Sequence, residues 1–231
     1  MKFGVVIFPG SNCDQDLIEV ISAVTRCEVV ELWHKTTDLQ GCDFIFLPGG
    51  FSYGDYLRSG AIAKLSPIME SVIAFANNGG YVMGICNGFQ ILCESGLLPG
   101  ALLRNNSQKF LCKNVTLSVA TESSLLTQKT TKNEVLTIPI AHAEGRFYAD
   151  EEQIKSMEEN DQVLFRYCDE KGNVTEDSNP NGSINNIAGV CNTGRNVFGM
   201  MPHPERCASD ELFNEDGKAL FEGLMQELSL S

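Results

Sequence analysis

Gly84-Ile85-Cys86-Asn87-Gly88 is the segment that most narrows the folds open to this chain. An apolar run, Tyr81-Val82-Met83, leads into it, and Phe89-Gln90-Ile91-Leu92-Cys93 leaves it with helical periodicity. A strand that turns directly into a helix needs backbone freedom on both sides of the bend, and glycine supplies it. The layout predicts a nucleophile elbow with cysteine in the serine position. The N–H groups and partial positive charge of a helix N-terminus favour a thiolate there, and the bend lifts the sulfur clear of the sheet. A free cysteine is more often a small core residue, and the chain has nine. The bracketing glycines and the strand–helix context single out Cys86.

The elbow belongs to a β/α alternation. Phe3 to Phe8, Glu28 to Trp33 and Asp43 to Leu47 read as strands, the first and third continuous in apolar residues. Asp14 and Asp16 open a helix bearing Leu17, Ile18, Ile21 and Val24 on one side, and Pro67 to Ala76 is a second helix ended by Asn78-Gly79-Gly80. Non-alternating strands imply a mostly parallel central sheet with helices on both faces, an α/β fold. Ligands of such sheets bind beyond the carboxyl ends of the strands, where Cys86 and Pro48-Gly49-Gly50 fall. After Leu103 the pattern changes to short strands at Val115 to Ala120, Val135 to Ile140, Gln162 to Tyr167 and Val197 to Met200, with no clear crossover helix in most gaps. An antiparallel extension of one sheet is expected, so residues 1–231 form a single domain. Gly172 to Gly182 reads as an exposed loop and Gly217 to Leu228 as an amphipathic helix.

Composition excludes several classes. A net charge of -13 repels phosphate backbones, which argues against nucleic-acid partners. No apolar stretch reaches membrane-spanning length, and Phe3 to Phe8 is too short for a signal-peptide core. The cysteine count is odd and no pair has C-x-x-C spacing, so neither a disulfide framework nor a zinc ribbon is expected. A reducing cytoplasm is the expected compartment. No metal site is expected, and neither a phosphate-binding G-x-x-x-x-G-K-[ST] loop nor a dinucleotide fingerprint occurs.

A thiol nucleophile needs a base, and the chain has three histidines. His203 lies in Pro202-His203-Pro204-Glu205, where Pro204 biases it towards extended geometry. Positions i and i+2 of an extended segment face one way, so Glu205 can orient the His203 imidazole. Cys86, His203 and Glu205 are then nucleophile, base and orienting acid. The elbow supplies the Asn87 N–H as one oxyanion donor, and Gly50, in Gly49-Gly50-Phe51, is the candidate second. His142 reads equally as a satisfied structural histidine or as a pocket wall; His34, at a strand end, reads as structural.

These residues resemble the class I, or triad-type, glutamine amidotransferases. Gly84-x-Cys86-x-Gly88-x-Gln90, the upstream Pro-Gly-Gly loop and His203-x-Glu205 carry the likeness. Within that family the chain is most similar to the glutaminase subunits of phosphoribosylformylglycinamidine synthase. Gly49-Gly50-Phe51-Ser52-Tyr53-Gly54-Asp55-Tyr56-Leu57-Arg58 is the most specific match, supported by Ala141-His142-Ala143-Glu144-Gly145 and by Val6 to Asp14. The resemblance implies a class I glutamine amidotransferase-like (flavodoxin-like) fold and hydrolysis of glutamine through a Cys86 thioester. It also implies a glutamine pocket that includes Gln90, His142, Ala143 and Glu144, with no cofactor in this chain. The implied partners are a synthetase subunit carrying ATP and Mg, which receives the ammonia for purine synthesis, and a small bridging subunit. Tyr53, Asp55 and Arg58 are then candidates for the partner face or the ammonia exit. The family usually has glycine where this chain has Ala143, a strained exchange if that position needs positive φ.

Two other readings stay open at this stage. One is a free-standing cysteine hydrolase of γ-glutamyl substrates on the same scaffold; the other is a non-catalytic binding subunit. The intact Cys86, His203 and Glu205 weigh against the second, and the Tyr53 to Arg58 segment against the first.

Overall fold

Continuous apolar runs become the central strands. In the computed structural model, which describes residues 1–209, 211 and 214–228 and only the backbone of 226–228, β1 is Lys2–Ile7, β2 Glu28–Trp33, β3 Phe44–Leu47 and β4 Tyr81–Ile85. β3 is buried at every position, which requires cover on both faces. The helices supplying it are α1 (Asp14–Thr25), α2 (Pro67–Asn77), α3 (Asn87–Glu94) and α5 (Lys218–Leu228). α1 buries Leu17, Ile21 and Thr25. Its entry turn is fixed by Ser11 Oγ, which accepts from the Phe8 N–H at 3.1 Å and donates to Asp14 at 2.8 Å.

The remaining strands are β5 (Ala101–Leu103), β6 (Leu111–Val119), β7 (Val135–His142), β8 (Arg146–Tyr148), β9 (Val163–Cys168), β10 (Ile187–Cys191) and β11 (Val197–Met200). Among the described residues one sheet of nine strands runs in the order β2-β1-β3-β4-β11-β10-β9-β6-β7, and β5 pairs with β8 separately. From β2 to β11 the pairing is parallel. From β11 to β7 every step is antiparallel, which is the expected extension of the same sheet. Four reversals bring β7 back to the direction of β4, so its carboxyl end lies at the same edge as Cys86. The far end of the sheet curls back over that edge: the His203 N–H donates to Pro139 O at 2.8 Å.

The structure corrects the sequence reading in several places, beginning with the short strands β5 and β8, which were not expected. α4 (Glu151–Glu159) fills a gap in which no crossover helix was expected. Met157 is its one buried residue, too few for a helical stripe, and an Asp150–Gln153 capping box starts it. β10 was not foreseen, because Ala188 and Gly189 are poor strand formers, yet it is buried throughout. The loop after Gly172 is not exposed along its whole length: Asn181 is buried and donates to Gly145 O at 2.9 Å.

Candidate active site

The bend at Cys86 is tight and strained, with φ 50° and ψ -104°. Such a left-handed conformation at a non-glycine residue persists only where its surroundings fix it. Here the Cys86 N–H donates to Met200 O at 2.8 Å, and the Cys86 carbonyl accepts from Gln90 N–H at 3.1 Å. A Cβ on Gly88 would stand 1.9 Å from Leu47 O, so α3 rests directly on the end of β3. Asn87 opens α3, where a backbone N–H has no intrahelical acceptor and is free for a developing oxyanion.

β3 feeds Gly49 and Gly50 to the same edge. Gly50 has φ 130°, and a Cβ there would lie 2.4 Å from the Asn12 N, so no other residue fits between the β3 and β1 turns. The structure thus brings Gly50, one of the two expected oxyanion donors, to the cavity that holds Cys86; the other, Asn87, follows Cys86 at the start of α3.

β11 delivers His203 to this edge. Its Nδ1 lies 2.7 Å from Glu205 Oε1, and both side chains are buried. Nε2 is the nitrogen left for a reacting group, and no protein partner among the described residues occupies it. Burial pushes the His203 pKa down, but the Glu205 carboxylate and then Cys86 outweigh it, and the net result is well above 6.5. The charged imidazole is the favoured form. Cys86 Sγ lies 3.8 Å from Ala141 O, under the returning β7.

A cavity of about 170 Å³ opens here, lined by Gly50, Phe51, Asp55, Ser59, Cys86, Gln90, Ala141, His142, Ala143 and Glu144. Every expected glutamine-pocket residue is among them. The volume is well under the roughly 300 Å³ at which drug-sized sites begin, and suits a single amino acid. Ala143 is not among the residues with positive φ, so the exchange of glycine for alanine brings no backbone strain. His142 is a pocket wall held from behind: Asn105 Oδ1 lies 3.1 Å from its Nδ1. Burial, with the neighbouring His203, pulls its pKa down to about 4, so the ring is neutral.

Of the three outer-loop candidates, Asp55 lines the cavity and accepts from Asn87 Nδ2 at 3.1 Å. Tyr53 turns inward, its hydroxyl 2.5 Å from His34 Nδ1 and 2.8 Å from Ser66 Oγ. Arg58 pairs with Glu94 at the end of α3. His34 is thus a buried residue with a protein partner.

Sequence reasoning missed Cys13. Its buried sulfur accepts from Arg206 Nη2 at 3.1 Å and faces Gly49. Ligand atoms of Cys13, His203 and Glu205 lie within 4.8 Å of one another. The adjacent guanidinium sets a fixed positive charge against any cation there. The one available signal was its place just after the first strand, at the functional edge.

A cysteine on a strained strand-to-helix bend, opposite a buried histidine–carboxylate pair, defines a class: α/β proteins built for thiol-dependent amide chemistry. Comparison with known proteins narrows it. The family model for the CobB/CobQ-like glutamine amidotransferase domain matches residues 1–221. The phosphoribosylformylglycinamidine synthase subunit PurQ of Koribacter versatilis is 56% identical over 225 residues, 97% of each chain. The protein of the same name from Chlorobaculum parvum is 54% identical, over 99% of this chain and 91% of its own. Among solved structures, a chain of PurLQS from Thermotoga maritima superposes with a TM-score of 0.86 at 41% identity, covering 98% of both chains. A looser likeness, of fold alone, joins the chain to the glutaminase domain of Trypanosoma brucei CTPS with bound acivicin (TM-score 0.64, 13% identity, 100% and 94% covered). The chain belongs to the CobB/CobQ-like glutamine amidotransferase family, and is an enzyme of that type.

Proposed function

We propose that this chain is the glutaminase subunit of a phosphoribosylformylglycinamidine synthase. The observation that carries the reading is its 56% identity, over nearly the full length of both chains, to a protein of that name. The geometry supports a specific course. Cys86 sulfur, its proton held on His203, adds to the side-chain amide carbon of glutamine. The Asn87 and Gly50 N–H groups receive the oxyanion. His203 passes its proton to the departing ammonia, which leaves a glutamyl thioester on Cys86. The neutral imidazole then takes a proton from water, the hydroxide adds to the thioester, and glutamate departs as the thiol re-forms. Glu205 holds the ring by Nδ1 and stabilises its charged form throughout.

Ammonia must reach a second site before it becomes ammonium, so a synthetase partner is part of the reading, as are ATP and Mg on that partner and a small bridging subunit. Apolar side chains left in solvent around the cavity mouth support docking there: Phe51 is 44% exposed, Tyr56 73% and Leu57 94%. Tyr53 and Arg58 hold the loop that presents them. The chain acts as a single glutamine amidotransferase domain in the cytoplasm; among its described residues no helix is long and apolar enough to cross a membrane.

The test is Cys86→Ala in the assembled complex. Glutamine-dependent synthesis should vanish while ammonium-dependent synthesis persists. Retention of glutamine-dependent synthesis would exclude Cys86 as the nucleophile, and loss of both would show that the residue serves assembly instead.

A further inference from the structure

The cavity beside Cys86 carries two carboxylates and no cationic side chain. Asp55 and Glu144 both line it. Asp55 Oδ1 accepts from Asn87 Nδ2 at 3.1 Å, and Glu144 Oε2 accepts from the Ser59 hydroxyl at 2.8 Å. Neither carboxylate is paired with a cation among the described residues, and no lysine or arginine lines the cavity. Burial raises the Asp55 pKa, and the nearby Glu144 raises it further. Two acids held this way repel each other until a positive group enters between them.

His142 adds an independent sign. It is 2% exposed, and its Nε2 has no partner among the described residues. Its Nδ1 faces Asn105 Oδ1, an acceptor, so Nδ1 carries the proton and Nε2 is a bare acceptor. Gln90 Nε2 spends one of its two N–H groups on Glu144 O at 2.6 Å. A ligand group that fits between Asp55 and Glu144 brings N–H donors and a positive charge.

We propose that Asp55, with Glu144 beside it, is the specificity determinant that captures the α-ammonium of the amino-acid substrate, while the carboxamide points at Cys86. The assignment rests on the glutaminase reading above and goes beyond it. Selection falls on the ammonium end, and the α-carboxylate is left to backbone N–H groups or to a residue from outside this chain. The pocket accepts a free α-amino acid amide and rejects a ligand lacking the amino group, whatever its carboxamide.

The test compares glutamine with glutaramate, which has the same chain and carboxamide but no α-amino group, in the assembled complex. The unsubstituted enzyme should prefer glutamine in kcat/KM by on the order of 100-fold, as sites built to bind a charged polar group do. Asp55→Asn is nearly isosteric and keeps an acceptor for Asn87. It should collapse the preference to below about 10-fold, mostly through the KM for glutamine, and Glu144→Gln should act in the same direction. The ratio is read within one protein, so partial loss of folded enzyme cancels. An equal fall for both substrates in both variants would overturn the inference and leave the carboxylates only a positioning role. A native complex that turns over no glutamine would instead sink the glutaminase reading, and this inference with it.

Discussion

Gly88→Ala tests whether the catalytic bend is held by direct contact between α3 and β3. The added Cβ would sit 1.9 Å from Leu47 O and 2.6 Å from Leu47 C. An ordinary contact begins at 3.4 Å, so the two elements must part by about 1.5 Å. The obstacle is backbone inside a fully buried strand and cannot swing away as a side-chain tip would. Overpacking of this kind costs about 1–3 kcal/mol, and a backbone clash belongs at the upper end, roughly 6–12 °C in Tm for a chain of this size. The functional loss is larger, because the displaced turn of α3 carries the Asn87 N–H and adjoins Cys86. A misplacement of about 1 Å at a reacting centre costs on the order of 100-fold in rate. Gly41→Ala is the control: Gly41 has positive φ, at 69°, but nothing lies within 4 Å of its added Cβ. It should cost about 1–2 kcal/mol of strain and leave glutamine turnover unchanged. Ammonia release and thermal unfolding are measured on both variants in complex with the synthetase. If Gly88→Ala stays within threefold of wild-type turnover and melts with the control, the close contact does not hold the bend.

Three further outcomes follow from the buried polar groups. Asn105 bridges His142 O, Lys109 O, His142 Nδ1 and the Gly145 N–H; Asn105→Leu strands several of these and should cost about 3 kcal/mol or more, read by denaturant unfolding. His142 is held near a pKa of about 4 against 6.5, so the unfolded chain alone takes up its proton as pH falls through that window. On the order of 3 kcal/mol of stability is lost there, and His142→Gln should show a shallower acid decline in Tm. His203 has the opposite sign: its folded pKa is raised, so its pairing with Glu205 stabilises fully below pH 6.5 and fades as pH rises through the folded value. The Tm difference between wild type and Glu205→Gln should therefore shrink with rising pH, while glutaminase turnover of the variant falls by on the order of 100-fold or more.

Which parts of this molecule could be read without coordinates follows from the range of the forces involved. The elbow was legible because its cause is local: two glycines, an apolar run and a helical stripe specify the bend within a dozen residues. β3 and Gly50 were legible for the same reason. α4 was not, since a helix with one buried residue leaves no stripe, although its capping box stood in plain view at Asp150 and Gln153. β10 is a strand by burial and not by propensity; only its neighbours β9 and β11 make Ala188 and Gly189 extended. Cys13 reaches His203 because the β1 and β3 turns interlock, with Gly50 seated on the Asn12 N, which is a property of sheet closure and not of spacing. Asp55 read as a partner-face or ammonia-exit candidate, and the structure sets it in the cavity wall. A left-handed φ of 52° at its own backbone lies within the turn that carries it to the cavity.

That turn also joins the loop to the chemistry. Tyr53, Asp55 and Leu57 all have positive φ, at 53°, 52° and 71°, each costing about 1–2 kcal/mol for a non-glycine residue. An exposed loop would relax such strain unless other bonds held it. Tyr53 is held by His34 and Ser66, and Arg58 by Glu94. The Phe51 and Tyr53 N–H groups bind Gly10 O and Pro9 O at 2.7 Å each, and Asn87 adds two side-chain anchors: its Oδ1 accepts from the Ser52 N–H at 3.1 Å and its Nδ2 donates to Asp55. The residue proposed to give its N–H to the oxyanion therefore holds, with its side chain, the segment that displays Tyr56 and Leu57 to solvent. The loop cannot relax without releasing Asn87, so the bend at Cys86 and the outer surface are tied through the Asn87 side chain.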